Sequence, residues 1–262
     1  MPLDPFNPPA LDRDGMPPPG LTIPQVQDQI SILTEMLATA TSPVLIGTII
    51  GALIGWTLIL EVMQVGIDTT RAQEQLSCTN LRRLALALMD NAAFNQAAWN
   101  NATPAGREDI LRNFFARLNT ILGIAPRQAI AFDDLLRPDG GNPSGTYNIE
   151  TGQITINNRY LQDSDNLDTM RTWRSEAMYT VIHEARHEFQ HSALLNHNRF
   201  TVSLETRNHW DENFDNYIRG GAEHYAQPIE WDAWNFEGSG DRIRPALEAA
   251  GLTPVYEGSW TW

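Results

Sequence analysis

The stretch Met178-Tyr179-Thr180-Val181-Ile182-His183-Glu184-Ala185-Arg186-His187 decides the fold of this chain, because it predicts a long, partly buried helix. Helical periodicity places this helix from about Leu167 to Leu195. Apolar residues come just before the two histidines, so we expect this part of the helix to face the core. Histidines four residues apart lie about 40° apart around a helix axis, which lets both imidazoles reach one metal ion.

The spacing of this histidine pair predicts a zinc site. His183 and His187 would supply two ligands, and Glu184 would act as general base on a zinc-activated water. Charged and polar groups on a buried helix need a partner, and a metal ion is one. The alternative is a surface helix that carries two incidental histidines.

A third zinc ligand is predicted on a second helix that begins at Pro228. Glu230 and Ala233 share one face of this helix, and the small Ala233 would let it pack closely on the first helix. Glu230 is therefore the predicted third ligand. Asp232 and Glu223 are weaker candidates, because they would point elsewhere.

Several other polar residues are candidates for roles around the metal. His209, His224 and Tyr225 could donate a hydrogen bond to the oxyanion that forms on a scissile carbonyl, and the spacing does not choose among them. His191, eight residues after His183, would lie at the edge of the site or in solvent. Arg186 is expected to be solvated or ion-paired.

A β-hairpin is predicted over Tyr147–Asn157, because residues alternate on both sides of Thr151-Gly152. Two helices are predicted upstream, one over about Asn80–Asn100 and one that begins at Thr103-Pro104 and continues to Leu122. The predicted fold class is α+β and mostly helical, with a small antiparallel sheet beside the helix that carries the histidines.

The N-terminal third differs from the rest of the chain. Residues 1–35 are predicted to be a Pro-rich tail and linker, of which residues 1–24, with eight of the 16 prolines, are expected to be flexible and disordered. Residues 36–75 are predicted to be an apolar helix, which either spans a membrane, is buried in a bundle or binds a chaperone. Three glycines recur there every four residues: Gly47, Gly51 and Gly55. Residues 76–262 are predicted to form one domain around the zinc site.

The composition excludes one class of partner. The 262-residue chain has a net charge of −14, which argues against binding to nucleic acid. All 18 basic residues are arginine, and lysine is absent from the sequence.

Together these motifs resemble a known class of enzymes. The hairpin ending in Ile154-Thr155-Ile156-Asn157, the histidine stretch and Tyr225–Ala233 are similar to gluzincin-type zinc metallopeptidase domains of bacterial polymorphic toxins and secreted effectors. More distantly they resemble the ImmA/IrrE regulatory peptidases. One departure is Trp234, which stands where thermolysin-like enzymes have an aspartate that orients a histidine. A metzincin is excluded, because Gln190 and Ala193 replace the required glycine and histidine.

The resemblance implies zinc on His183, His187 and Glu230, with Glu184 as general base, and a peptide that adds as a strand along Ile154–Asn157. It also implies a secreted or injected effector that cleaves a protein in a target cell, with association to a membrane as one alternative. Residues 1–67 would then contact a membrane, a secretion chaperone or a delivery apparatus. A lysine-free chain would resist ubiquitin attachment in a eukaryotic cytosol. The alternatives are a regulatory peptidase and a membrane-inserting or scaffold protein with a structural zinc site.

Overall fold

The computed structural model describes residues 3–10, 21–136, 142–196 and 199–252. The chain divides into two compact units, Met1–Ala72 and Gln73–Trp262. The helices are α1 (Ile23–Thr39), α2 (Pro43–Leu88), α3 (Gln96–Asn101), α4 (Pro104–Leu122), α5 (Leu167–Leu195), α6 (Leu204–Asp215), α7 (Gly221–Ala226), α8 (Pro228–Glu237) and α9 (Gly240–Ala249). The strands are β1 (Ala131–Asp133), β2 (Gly145–Asn148) and β3 (Gln153–Asn157), and a short 3-10 helix covers Asn158–Leu161. The mostly helical α+β class is thus confirmed.

The first unit contains a helix where a tail and linker were predicted. Helix α1 begins after Thr22, whose side chain accepts a hydrogen bond from the backbone N–H of Gln25 while the Gln25 side chain accepts from the N–H of Thr22. This reciprocal capping box is encoded locally and stabilises the first turn. The flexible tail was predicted to extend to residue 24, so this prediction is wrong at Ile23 and Pro24, and the linker that follows up to residue 35 is helical. Part of the Pro-rich tail, residues 1–2 and 11–20, lies outside the described residues.

The described part of the Pro-rich tail is also packed within the first unit. The indole Nε1 of Trp56 donates a 2.9 Å hydrogen bond to the carbonyl of Pro5. A Cβ on Gly55 would lie 2.6 Å from Cγ of Pro8, so the proline ring uses the space that glycine leaves. At Gly55 a proline of the tail thus approaches the backbone of α2 closely, whereas Gly47 and Gly51 have no described atom within 4 Å of such a Cβ.

The apolar segment of α2 is buried on one side only. Ile49, Trp56 and Ile59 form a cluster with Val26 and Leu33 of α1. Within the described part of the chain, no helix is long and apolar enough to cross a membrane.

The helix predicted over Asn80–Asn100 is interrupted. Helix α2 ends at Leu88, and α3 begins only at Gln96. Asn91 and Asn95 accept hydrogen bonds from the backbone N–H groups of Ala93 and Ala98, so these side chains stabilise a turn and a new helix start rather than a continuous helix. Helix α4 was predicted correctly, with Thr103 as its N-cap.

The predicted hairpin is present, but a third strand changes the sheet. The strand order is β1-β3-β2, with β3 antiparallel to β2 and parallel to β1. The sheet is therefore mixed rather than purely antiparallel. Strand β3 lies at its centre, so the prediction that Ile154–Asn157 forms a free edge is wrong. Strand β3 pairs with the short β1 although 19 residues separate the two strands along the chain, and strand periodicity does not reveal such a pairing.

Helix α5 has the predicted bounds and forms the centre of the second unit. Its residues Met178, Val181 and Ile182 are fully buried in the main hydrophobic cluster, together with residues of α4 and of β3. The helix also packs against α8 and β2. This packing holds the histidine-bearing turns of α5 between a sheet and a second helix.

Candidate metal centre

Successive turns of α5 bring the imidazoles of the two histidines into contact. His183 and His187 are both buried, and their Nε2 atoms lie 3.2 Å apart. Their rings meet edge to face, with centroids 4.8 Å apart. The helical spacing predicted this convergence.

Helix α8 brings the predicted third ligand to the same place. Pro228 occupies the first turn of α8 and Ala233 is fully buried, as the sequence predicted for a closely packed helix. Oε2 of Glu230 lies 3.2 Å from Nε2 of His183, and Oε1 lies 3.4 Å from Nε2 of His187.

The three ligands have the dimensions of a metal site. Among the described residues, His183, His187 and Glu230 are the group of metal-ligating side chains whose ligand atoms approach one another this closely. Zinc ligands at 2.0–2.1 Å in a tetrahedron stand about 3.3–3.4 Å from each other. The two Nε2 atoms are separated by about this distance, 3.2 Å, and each lies 3.2–3.4 Å from a different carboxylate oxygen of Glu230. The buried triad could therefore hold a metal ion.

The charges of the triad are mutually dependent. Burial opposes ionisation of Glu230, yet His187 and His183 hold the pKa of its carboxyl well below the usual range. Burial also opposes protonation of His183, but the hydrogen bond to Glu230 and the nearby carboxylate of Glu237 raise its pKa well above the usual value. The pKa of His187 is raised for the same reason, chiefly by Glu230. The two imidazoles and the buried carboxylate thus stabilise each other's charged forms.

Glu184 lies beneath strand β2. Its side chain is buried, and burial is the main cause that raises the pKa of its carboxyl. A Cβ on Gly145 would lie 3.2 Å from Oε1 of Glu184 and 2.5 Å from Cγ2 of Thr180. Strand β2 can therefore approach α5 closely only because residue 145 is glycine, which the sequence analysis did not recognise.

The predicted oxyanion donors occupy different positions. Nε2 of His224 lies 3.7 Å from Oε2 of Glu230, so His224 belongs to the site. Tyr225 packs edge to face on His224 and Trp234 and remains 38% exposed, which places it at the rim. His191 instead lies 3.3 Å from the hydroxyl of Tyr147 through its Nδ1.

Tyr217 was missed by the sequence analysis. It lies in the loop between α6 and α7, and its hydroxyl donates a 2.5 Å hydrogen bond to Oε1 of Glu230. Gly220 and Gly221 follow it with φ of 80° and 75°, a backbone conformation that favours glycine. The double glycine was the available signal of a specific loop shape, but it does not reveal where the tyrosine points.

The residues around the histidines also differ from the thermolysin-like pattern. Trp234 packs against the ring of His183, with centroids 4.6 Å apart. Nδ1 of the same histidine lies 3.5 Å from Oε2 of Glu237, two turns beyond Glu230 on α8. A carboxylate is therefore near His183, but it comes from Glu237 rather than from position 234.

Arg186 is ion-paired and fully buried, so the solvated alternative is wrong. Its Nε and Nη2 lie 2.8 and 3.1 Å from the two carboxylate oxygens of Asp232. This bidentate pair occupies Asp232 and explains why it is not part of the ligand triad. The charge of Asp232 raises the pKa of Arg186 despite burial.

The predicted substrate strand has a structural role. Ile154 and Ile156 belong to the main hydrophobic cluster, and Thr155 pairs with Ala131 and Thr146 on opposite sides. Asn157 is buried and caps the following 3-10 helix by accepting from the N–H of Arg159.

Comparison with protein families, with curated proteins and with solved structures finds no match to this chain.

Proposed function

We propose that the chain is a zinc-dependent endopeptidase. The observation that carries this proposal is the convergence of the buried His183, His187 and Glu230 side chains, whose polar atoms lie 3.2–3.4 Å apart. Two imidazoles and one carboxylate are also the ligand set of zinc peptidases that keep a fourth position for water. When bound, zinc would polarise a peptide carbonyl and lower the pKa of water.

Glu184 would move the proton in this reaction. It follows the first ligand directly, and its buried carboxyl has a raised pKa, which suits a group that accepts a proton and then releases it. Glu184 would take the proton of the attacking water and pass it to the leaving amine as the peptide bond breaks. His224 lies near Glu230 and could donate a hydrogen bond to the carbonyl oxygen as it gains charge, whereas the hydroxyl hydrogen of Tyr217 is already donated to Glu230.

Strand β2 is the better candidate for substrate pairing than β3. In the described sheet β2 pairs with β3 on one side only, and its first residue, Gly145, lies directly over Glu184. An extended peptide that paired with the other side of β2 would run past the metal ligands. This arrangement favours a protein or peptide substrate.

The biological setting is part of the proposal. A toxin or effector that cleaves a protein in a target cell accounts for a lysine-free chain, because lysine is the attachment point for ubiquitin. The first unit would serve delivery, through a secretion chaperone or a delivery apparatus that contacts residues 1–67. Replacing several surface arginines by lysine should then shorten the lifetime of the protein in a eukaryotic cytosol.

The activity is tested with Glu184→Gln, which keeps the shape of the side chain and removes its proton chemistry. We expect the purified wild type to bind one zinc ion and to cleave a peptide library, and the variant to bind zinc equally well without cleavage. Glu176→Gln, an exposed change on the same helix, is the matched control and should leave cleavage unchanged. Zinc bound without cleavage, and without access for a hydroxamate, would instead indicate a structural zinc site.

A further inference from the structure

Gln190 connects the ligand His187 to a buried ion pair. It lies on α5 one turn after His187 and is fully buried. Its Oε1 is 2.9 Å from Nδ1 of His187. On the other side its Nε2 is 2.9 Å from the carbonyl oxygen of Ile229 and 2.6 Å from Oδ2 of Asp232.

These contacts permit one orientation of the Gln190 amide. The carbonyl of Ile229 can only accept hydrogen bonds, and the carboxylate of Asp232 is held as an acceptor by its bidentate pair with Arg186. The amide NH2 must therefore face Ile229 and Asp232, and Oε1 must face His187. Since an amide oxygen cannot donate, Nδ1 of His187 must carry the hydrogen in this contact.

The orientation of the Gln190 amide thus determines which nitrogen of His187 carries the hydrogen and which keeps its lone pair. In the neutral ring a hydrogen on Nδ1 leaves the lone pair on Nε2, the atom that faces His183 and Glu230. We propose that Gln190 is a positioning residue that fixes the Nδ1–H tautomer of His187, and that Asp232 and Arg186 hold its amide in the required orientation. The benefit for metal binding rests on the proposed function, but the tautomer is a property of the metal-free chain as well.

This arrangement replaces the carboxylate that the thermolysin-like pattern would supply. Trp234 occupies that position and packs on His183, and the carboxylate of Glu237 lies 3.5 Å from Nδ1 of His183. A neutral amide orients His187 without placing another full negative charge beside the ring. The carboxylate of Asp232 accepts a hydrogen bond from the amide of Gln190, and this amide in turn contacts His187.

The tautomer is tested by NMR of the full chain labelled with 15N-histidine. Long-range 1H–15N spectra of the metal-free protein distinguish a hydrogen on Nδ1 from a hydrogen on Nε2. The titration of the His187 ring is followed in the same samples, and the tautomer is determined at a pH above this titration, where the ring is neutral. His187→Gln assigns the signals. We expect Nδ1–H in the wild type, and a shift toward Nε2–H in Gln190→Met, which has similar size but no acceptor.

A second variant separates positioning from packing. In Gln190→Glu a neutral carboxyl group can donate its O–H to Asp232 and still accept from His187 through its other oxygen. We expect this variant to keep the Nδ1–H tautomer and a zinc Kd near that of the wild type, whereas Gln190→Met should weaken zinc binding by about 10- to 100-fold. Asn119→Leu, another buried amide, in α4, is the control for the loss of a buried polar side chain.

The outcomes are distinct. A wild-type His187 with its hydrogen on Nε2, or an unchanged tautomer in Gln190→Met, would overturn the proposal. If Gln190 only filled space, Gln190→Glu would bind zinc less well than Gln190→Met, because it buries an ionisable group, and that ranking would also overturn it. If zinc failed to bind the wild type while the tautomers behaved as expected, the positioning role would stand and the proposed peptidase function would fail.

Discussion

The hydroxyl of Tyr217 lies 2.5 Å from Oε1 of Glu230, the closest polar contact of the metal-ligand triad described above. The tyrosine is 37% exposed, whereas the carboxylate it contacts is buried. Tyr217 is thus a hydrogen-bond donor that reaches from the surface of the second unit to a candidate metal ligand.

Tyr217→Phe should weaken zinc binding by about tenfold, because it removes the donor that orients the Glu230 carboxylate. A competition titration with a chromophoric chelator measures the change. Tyr225→Phe is the matched control, since Tyr225 is similarly exposed and packs on the neighbouring His224. Equal zinc affinities of the two variants would contradict a specific role for Tyr217.

Glu230→Gln should reduce zinc affinity by at least about 100-fold, because an amide is a much weaker zinc ligand than a carboxylate. Metal content after dialysis and the Kd from chelator competition report the loss. Glu223→Gln on α7 makes the same chemical change at an exposed residue and should bind zinc normally. If both variants bound zinc alike, the third ligand would not be Glu230.

Zinc affinity should rise with pH over the range in which the two histidines titrate. The neighbouring carboxylates raise the pKa values of His183 and His187 in the metal-free chain, so below those values both rings carry protons that zinc must displace. Calorimetric titrations in buffers of different ionisation enthalpy should show net proton release that declines as the pH rises. A zinc affinity independent of pH would argue against ligation by these imidazoles.

Two glycines of α2 should respond oppositely to alanine. Gly51→Ala should stabilise the helix locally by about 0.5–1 kcal/mol, because no described atom lies within 4 Å of the new Cβ and alanine favours the helix. Gly55→Ala should be less stable than Gly51→Ala by about 1–3 kcal/mol, because its Cβ would displace Pro8.

Hydrogen exchange of the backbone amides around Gly51 and Gly55 gives the local opening free energies of α2 in each variant. A loss of stability in Gly51→Ala would show that this glycine has a close neighbour after all.

Local sequence patterns predicted much of the second unit. The bounds of α5, the start of α4 at Thr103 and the hairpin around Thr151-Gly152 follow from periodicity, capping and turn residues. The same type of signal was present but not recognised at Thr22, where a capping box starts α1. The turn that ends α2 at Leu88 depends on asparagine side chains that compete with the helix, and periodicity does not show this competition.

The sequence by itself determined the two histidines, the adjacent Glu184 and the choice of Glu230, because helical spacing fixes which side chains share a face. The tertiary structure decided which groups surround them. Tyr217 lies 13 residues from Glu230 along the chain, and Asp232 lies 42 residues from Gln190. Contacts of this kind depend on how α8 and the preceding loop pack on α5, and their geometry leaves no periodic trace in the sequence. The central position of β3 was decided in the same way, by a parallel strand that joins the sheet from outside the hairpin.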